Sequence, residues 1–193
     1  METLNSKNSP IRIIEVVPPG ATGGWVGITL APGKKTLGTY VCWERDLDED
    51  LDRLRAQGVT TLVPLLDDDE LIRLQIPTLV ASAQARGMEV RRFPFHDGGI
   101  PRDVGKVAQL VAEIIKRCQS GERVVIHCNG GLGRAGTMAA CVRIALGLDG
   151  GAAEAIAVVR KLRSPRAIET REQEDFVERF AGAWAKRMRK PQR

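Results

Sequence analysis

Residues 123–127, RVVIH, pass without a break into CNGGLGRAG and then into the small-residue run TMAACVRIALGL. A short block of β-branched residues reads as a buried strand, and the run after the glycines reads as a helix packed closely on a sheet. A strand, a tight glycine loop and a helix in direct succession form the first half of a parallel crossover. That unit commits the chain to a sheet covered by helices and puts the loop at the C-terminal end of a strand.

The remaining pattern agrees with this unit. IRIIEVV (11–17) and WVGITLA (25–31) read as strands, and APGKKTLG (31–38) as a loop. From Asp46 to Gln57, Leu47, Leu51 and Leu54 recur at helical spacing, and Gly58 closes the segment. TTLVPLL (60–66) is a short buried strand, and DDDELIRLQ and PTLVASAQARG are helices, the first with acids suited to its N-terminus. MEVRRFPF (88–95) alternates like a strand and leads into the loop HDGGIPR. Residues 102–119 return to helical spacing through Val104, Val107, Leu110, Val111 and Ile114, and two more helices cover 151–163 and 171–188. The expected fold class is α/β, with a central, mostly parallel sheet flanked by helices on both faces and ligand sites at the strands' C-terminal ends. A length of 193 residues suits a single domain over 1–193, and no repeat or linker divides it.

Composition excludes several classes. With 43% hydrophobic and 27% charged residues the chain reads as a soluble globular protein, expected in the cytoplasm with no membrane partner. The opening METLNSKNSP lacks the basic and apolar regions of a secretory signal, and no apolar run is long enough to span a bilayer. Cysteines at 42, 118, 128 and 141 show no CxxC spacing and read as reduced thiols. The net charge of +5 is concentrated in KRMRKPQR (186–193); without those five cations, 24 basic residues face 24 acidic ones. The tail therefore reads as a solvated helix end, and no nucleic-acid partner is expected.

Three chemistries compete for the glycine loop. Gly131, Gly133 and Gly136 satisfy G-x-G-x-x-G, but a dinucleotide unit requires another strand after the helix, where residues 151–163 read as helical. Gly131 and Gly136 have the spacing of a nucleoside-triphosphate loop, yet Thr137 stands where the lysine belongs. The third reading accounts for more residues. Cys128 and Arg134, separated by five residues, face one anion across a turn for which Gly130, Gly131 and Gly133 supply positive φ or close approach. A helix starting near Arg134 adds its positive end. Such surroundings favour a nucleophilic thiolate, and Arg134 with the loop N–H groups stabilises a phosphoryl group without a metal or other cofactor.

HCNGGLGRAGT resembles the signature loop of the cysteine-based protein tyrosine phosphatase superfamily. GITLAPGKK (27–35), FPFHDGGIP (93–101) and AIETREQEDFVERF (167–180) are similar to its dual-specificity group, of the kinase-associated phosphatase (cyclin-dependent kinase inhibitor 3) type. The resemblance covers roughly residues 25–180 and implies a cysteine phosphatase-like fold. It also implies hydrolysis of phosphotyrosine, phosphoserine or phosphothreonine on a protein substrate, through a phosphocysteine intermediate. Cys128 and Arg134 are then catalytic, and Asn129, Gly130, Gly131, Leu132 and Gly133 join Arg134 in binding phosphate.

A leaving alcohol or phenol needs a proton, and Asp97, in a glycine-rich loop after a strand, matches the family's general acid by position. Asp103 is the other candidate and reads better as the cap of the next helix. His127 points to the opposite strand face from Cys128; as in the family, its expected part is to orient the cysteine backbone and tune the thiolate. Gln173 resembles a glutamine that positions water, with an exposed helix residue as the competing reading. Lys34, Lys35 and Arg166 read as solvated charges, and Cys141 as a packing residue. Tyr40 lies in a segment with no clear match to the aromatic wall of a deep phosphotyrosine pocket.

One departure stands out. Ala135 replaces the family's usual serine or threonine, whose hydroxyl bonds the sulfur. Loss of such a bond costs on the order of 1.5–3 kcal/mol, roughly ten- to a hundredfold in rate. A slow phosphoprotein-binding module that traps phosphate is thus a second reading.

Overall fold

The computed structural model describes residues 2–37 and 41–189; Tyr40 and the end of the basic tail, 190–193, lie outside the described residues. Strand β8 (Arg123–His127) is the middle of a five-stranded sheet in which it lies between β3 (Trp25–Thr29) and β6 (Thr61–Pro64), parallel to both. Its side chains alternate between faces. Val124 and Ile126 join one apolar cluster and Val125 the other, so both faces of the sheet are buried. The outer strands are β2 (Ile14–Val17), antiparallel to β3, and β7 (Glu89–Val90), parallel to β6.

The helices are divided between the two faces. α1 (Leu47–Ala56) and α3 (Leu79–Ala85) cover one face through Leu51, Leu54 and Ala83. The other face carries α4 (Val104–Gln119), α5 (Gly133–Ala145), α6 (Ala152–Leu162) and α7 (Arg171–Arg189). Small residues let α5 lie between the sheet and the remaining helices, and almost every one of its residues is buried. Side chains fix the helix starts: Asp46 accepts the Glu49 N–H at 2.8 Å, and Asp103 accepts those of Gly105 and Lys106 at 2.7 and 3.1 Å.

Three sequence expectations change. The strand expected over 88–95 pairs as a ladder only at Glu89–Val90. Beyond it the chain stays extended, with Arg91, Phe93 and Phe95 donating to the carbonyls of Leu62, Pro64 and Leu65. The segment at 11–17 forms a ladder only from Ile14. The expected loop at 31–38 contains β4 (Lys35–Leu37), which pairs antiparallel with β5 (Val41–Glu44), while β1 (Glu2–Asn5) runs parallel to β5 on its other edge.

A buried ion pair fixes the turn between β3 and β4. Arg45 and Asp50, both almost fully buried, meet through two bonds of 2.7 Å, and Asp50 also accepts the Gly33 N–H at 2.9 Å. Gly33 has φ +71°, and a Cβ there would collide with Leu47. Asp50→Ala would leave a buried guanidinium and a buried amide without their acceptor. The expected loss is about 3–5 kcal/mol of unfolding free energy, read from urea denaturation at pH 7.

Candidate active site

Cys128 follows the last residue of β8 and is buried on the α5 side of the sheet, as the alternation from Ile126 requires. The loop then turns back under the sulfur, so that the Gly131 N–H lies 3.3 Å from Cys128 Sγ. Gly131 has φ +67°, and a Cβ there would collide with the Thr29 backbone. At Gly133 a Cβ would collide with the Glu169 carboxylate, which lies beside the Gln173 amide. Gly130 departs from the sequence expectation. Its φ is not positive and an added Cβ meets nothing nearer than 3.9 Å, because the loop bends at Gly131 rather than one residue earlier.

Arg134 enters the site from the first turn of α5 and its side chain is fully buried. Its terminal nitrogens donate to the two Glu70 oxygens at 2.6 and 2.7 Å, and one also reaches the Leu65 and Phe95 carbonyls at 3.2 and 2.9 Å. Burial works against the cation, but Glu70, Cys128 and Asp97 together outweigh it, and the Arg134 pKa lies above its ordinary value. Nε has no partner. The nitrogen facing Glu70 Oε1 also pairs with Asp97 Oδ1 at 2.9 Å. Sequence reasoning missed Glu70. It occupies the third helical position after the cap Asp67 in α2 (Asp68–Arg73) and reaches back to the Asp67 N–H, and that capping pattern alone explains an acid there.

Asp97 is half-exposed on a turn closed by the Gly99 N–H on the His96 carbonyl. α7 holds that turn: the Gln173 Nε2 group donates to the Gly99 carbonyl at 3.2 Å, and Thr170 Oγ1 donates to that of Gly98 at 3.3 Å. Gln173 is fully buried, which removes the exposed-residue reading, and its Oε1 accepts the Glu169 N–H at 2.8 Å. Asp103 caps α4, as the second of its two readings expected. His127 is buried on the far face, with Nδ1 3.4 Å from the Cys128 carbonyl and Nε2 without a partner among the described residues. Burial pushes its pKa down to about 4, so the ring is neutral near pH 7 and Nδ1 carries the proton that the carbonyl accepts.

Two further cations belong to the loop. Lys34, expected to be solvated, is buried: the Gly33 turn brings its ammonium 4.4 Å above the Trp43 ring and 3.2 Å from the Asn129 carbonyl. Burial lowers its pKa to about 8. Arg163, beyond the end of α6, donates to the Gly130 and Gly131 carbonyls, each at 3.0 Å. Lys34, Trp43, Asp97, Cys128, Asn129 and Glu169 line one cavity of about 350 Å³. Trp43 is an aromatic side chain in the lining of this cavity. Arg166 is exposed, as expected. Cys141 is buried with its pKa driven up by desolvation, as a packing residue should be. Ala135 is buried beneath the loop, and Thr137 faces away, donating its hydroxyl to the Gly133 carbonyl at 2.9 Å.

A buried cysteine and arginine joined by a glycine loop with an amide on the sulfur, at the C-terminal end of a parallel strand, are the features of the cysteine-dependent phosphatase class. The chain belongs to the DSP-PTPase phosphatase family: the model described as "PTP-SAK: Swiss Army Knife protein, DSP-PTPase phosphatase domain" matches residues 38–177. Cyclin-dependent kinase inhibitor 3 of Rattus norvegicus is 28% identical over 156 residues, which span 81% of this chain and 71% of the relative. A crystal structure of kinase associated phosphatase with its catalytic-site cysteine changed to serine superposes with a TM-score of 0.83 and 26% identity, covering 93% of this chain and 98% of that one. Tk-PTP in its active form gives 0.64 and 28%, covering 82% and 92%. These likenesses support protein-tyrosine/dual-specificity phosphatase activity and give none to the phosphate-trapping module that Ala135 suggested. Among the described residues, no helix is long and apolar enough to cross a membrane.

Two glycines test the loop geometry. Gly131→Ala forces a left-handed backbone on a residue with a Cβ and drives it into Thr29; the expected result is a loss of at least about 1–3 kcal/mol in stability together with phosphatase activity. Gly130→Ala is expected to retain both, measured by urea denaturation and by hydrolysis of an aryl phosphate.

Proposed function

We propose that the chain is one phosphatase domain that hydrolyses phosphotyrosine, phosphoserine or phosphothreonine on a protein through a phosphocysteine, with no metal in the step. The observation that carries this reading is the unpartnered, buried Nε of Arg134 beside a sulfur already held by the Gly131 N–H. An orphan donor on a buried cation is costly unless an anion takes it. A phosphoryl group with two oxygens on Arg134 and the rest on the loop amides would satisfy it.

In this reading the Cys128 thiolate attacks phosphorus, and the bond from phosphorus to the ester oxygen breaks. Asp97, displaced from Arg134 by the incoming dianion, takes up a proton from solvent and passes it to that oxygen. The Asp97 carboxylate then takes a proton from water, whose oxygen attacks phosphorus. The phosphorus–sulfur bond breaks, releasing inorganic phosphate and the thiolate. Glu70 keeps the guanidinium in plane, His127 holds the Cys128 carbonyl, and Gln173 ties the acid turn to α7.

Activity on para-nitrophenyl phosphate and on phosphopeptides, measured with a chelator present, tests the assignment. Cys128→Ser is expected to abolish turnover on every substrate. Asp97→Asn is expected to slow phosphopeptides by about 10²–10⁴ and the activated aryl ester much less, because a good leaving group needs little protonation. Full Cys128→Ser activity, or equal losses on both substrate types for Asp97→Asn, would refute the corresponding role.

A further inference from the structure

The outer side of the signature loop is as fully organised as its inner side. Each carbonyl from 128 to 133 has a partner directed away from the anion site. His127 Nδ1 takes Cys128, the Ala31 N–H and Lys34 Nζ share Asn129, Arg163 takes Gly130 and Gly131, the Gly136 and Ile168 amides take Leu132, and the Thr137 hydroxyl takes Gly133. In a planar trans peptide the N–H points opposite to the C=O. Carbonyls fixed outward at 129, 130 and 131 therefore turn the N–H groups of Gly130, Gly131 and Leu132 inward, and the Gly131 N–H is seen on the sulfur.

We propose that Lys34 and Arg163 are positioning residues for the phosphatase reaction: from outside the loop they hold these three peptides in the anion-binding orientation and add their charges to the site. The inference rests on the phosphatase reading of the same loop. Arg163 suits the task because its planar fork spans two successive carbonyls, whereas Lys34 meets Asn129 twice, at the carbonyl and at Oδ1, 3.2 and 3.3 Å away. Neither has a carboxylate within salt-bridge distance among the described residues, so their charge is not neutralised locally. The two arrive from opposite ends of the chain, Lys34 on the turn pinned by Asp50 and Arg163 after α6.

Lys34 also gives the arrangement a pH signature. Burial is the largest influence and lowers its pKa; among the charged groups Cys128 and Asp97 raise it and Arg45 and Arg163 lower it, which leaves it at about 8. Glu169 lines the same cavity. The ammonium is therefore present below about pH 8 and lost above it.

Competitive inhibition by tungstate tests this, because that oxyanion remains a dianion while the lysine titrates. For the wild type, the inhibition constant is expected to be steady near pH 7 and to weaken several-fold by about pH 9.5. Lys34→Gln retains a hydrogen-bond donor without the charge. It is expected to bind roughly tenfold more weakly near pH 7, with no further loss across the alkaline range. Arg163→Gln should also weaken tungstate by roughly tenfold, and the loss should appear in KM as well as in kcat. Wild-type affinity with an unchanged alkaline limb in Lys34→Gln would overturn the inference while leaving the phosphatase reading intact. A wild type that binds no tungstate would overturn both. Should a variant fail to fold, a flat wild-type profile would still contradict the role of Lys34, and a limb near pH 8 would support it.

Discussion

The buried guanidinium of Arg134 is the interaction on which the rest of the site depends. A cation removed from water is tolerable only where carboxylates and carbonyls replace its hydration, and this one collects them from distant parts of the chain. Glu70 comes from α2, the Leu65 carbonyl from the chain just beyond β6, and the Phe95 carbonyl and Asp97 from the acid loop. One side chain thus sets the distance between the helix carrying the nucleophilic loop and the turn carrying the candidate acid. With Glu70 absent, the cation would be left short of a counter-charge in the core. The capping box at Asp67 is accordingly part of the site as well as of a helix.

The same principle bears on the position of Asp97. Asp97 rests against Arg134 at 2.9 Å, where a phosphoryl oxygen would lie in the proposed reaction. The acid therefore has two positions in this account, one on the arginine and one on the leaving oxygen, and arrival of a dianion exchanges them. The hinge is short. Gly98, with φ +70°, follows Asp97 directly, while the carbonyls of Gly98 and Gly99 stay tied to Thr170 and Gln173. The carboxylate can move without the loop being released.

What the sequence discloses follows the range of each interaction. Cys128 and Arg134 are legible because the loop that joins them is only a few residues long and its glycines have a local steric cause. The alternation through Val124, Val125 and Ile126 is equally local, and it places His127 and Cys128 on opposite faces. Lys34, Glu70 and Arg163 are different. Each has a sufficient local explanation, as a solvated charge, a first-turn acid or a helix-end cation, and only the folded chain shows what it meets. β1, β4 and β5 were missed because strands of three or four residues are too short for a periodic signal. Gly130 was over-read for a related reason: a run of glycines shows that a turn occurs, not which residue makes it.

The central claim is that phosphate passes through Cys128. Its most direct test is rapid acid quenching of the wild-type protein during turnover of a radiolabelled phosphopeptide, followed by mapping of the label. The account predicts label on the peptide containing Cys128, formed and consumed at rates compatible with turnover and lost in Cys128→Ser. Label on another residue, or steady hydrolysis without a covalent phosphoenzyme and with inversion at phosphorus, would contradict it.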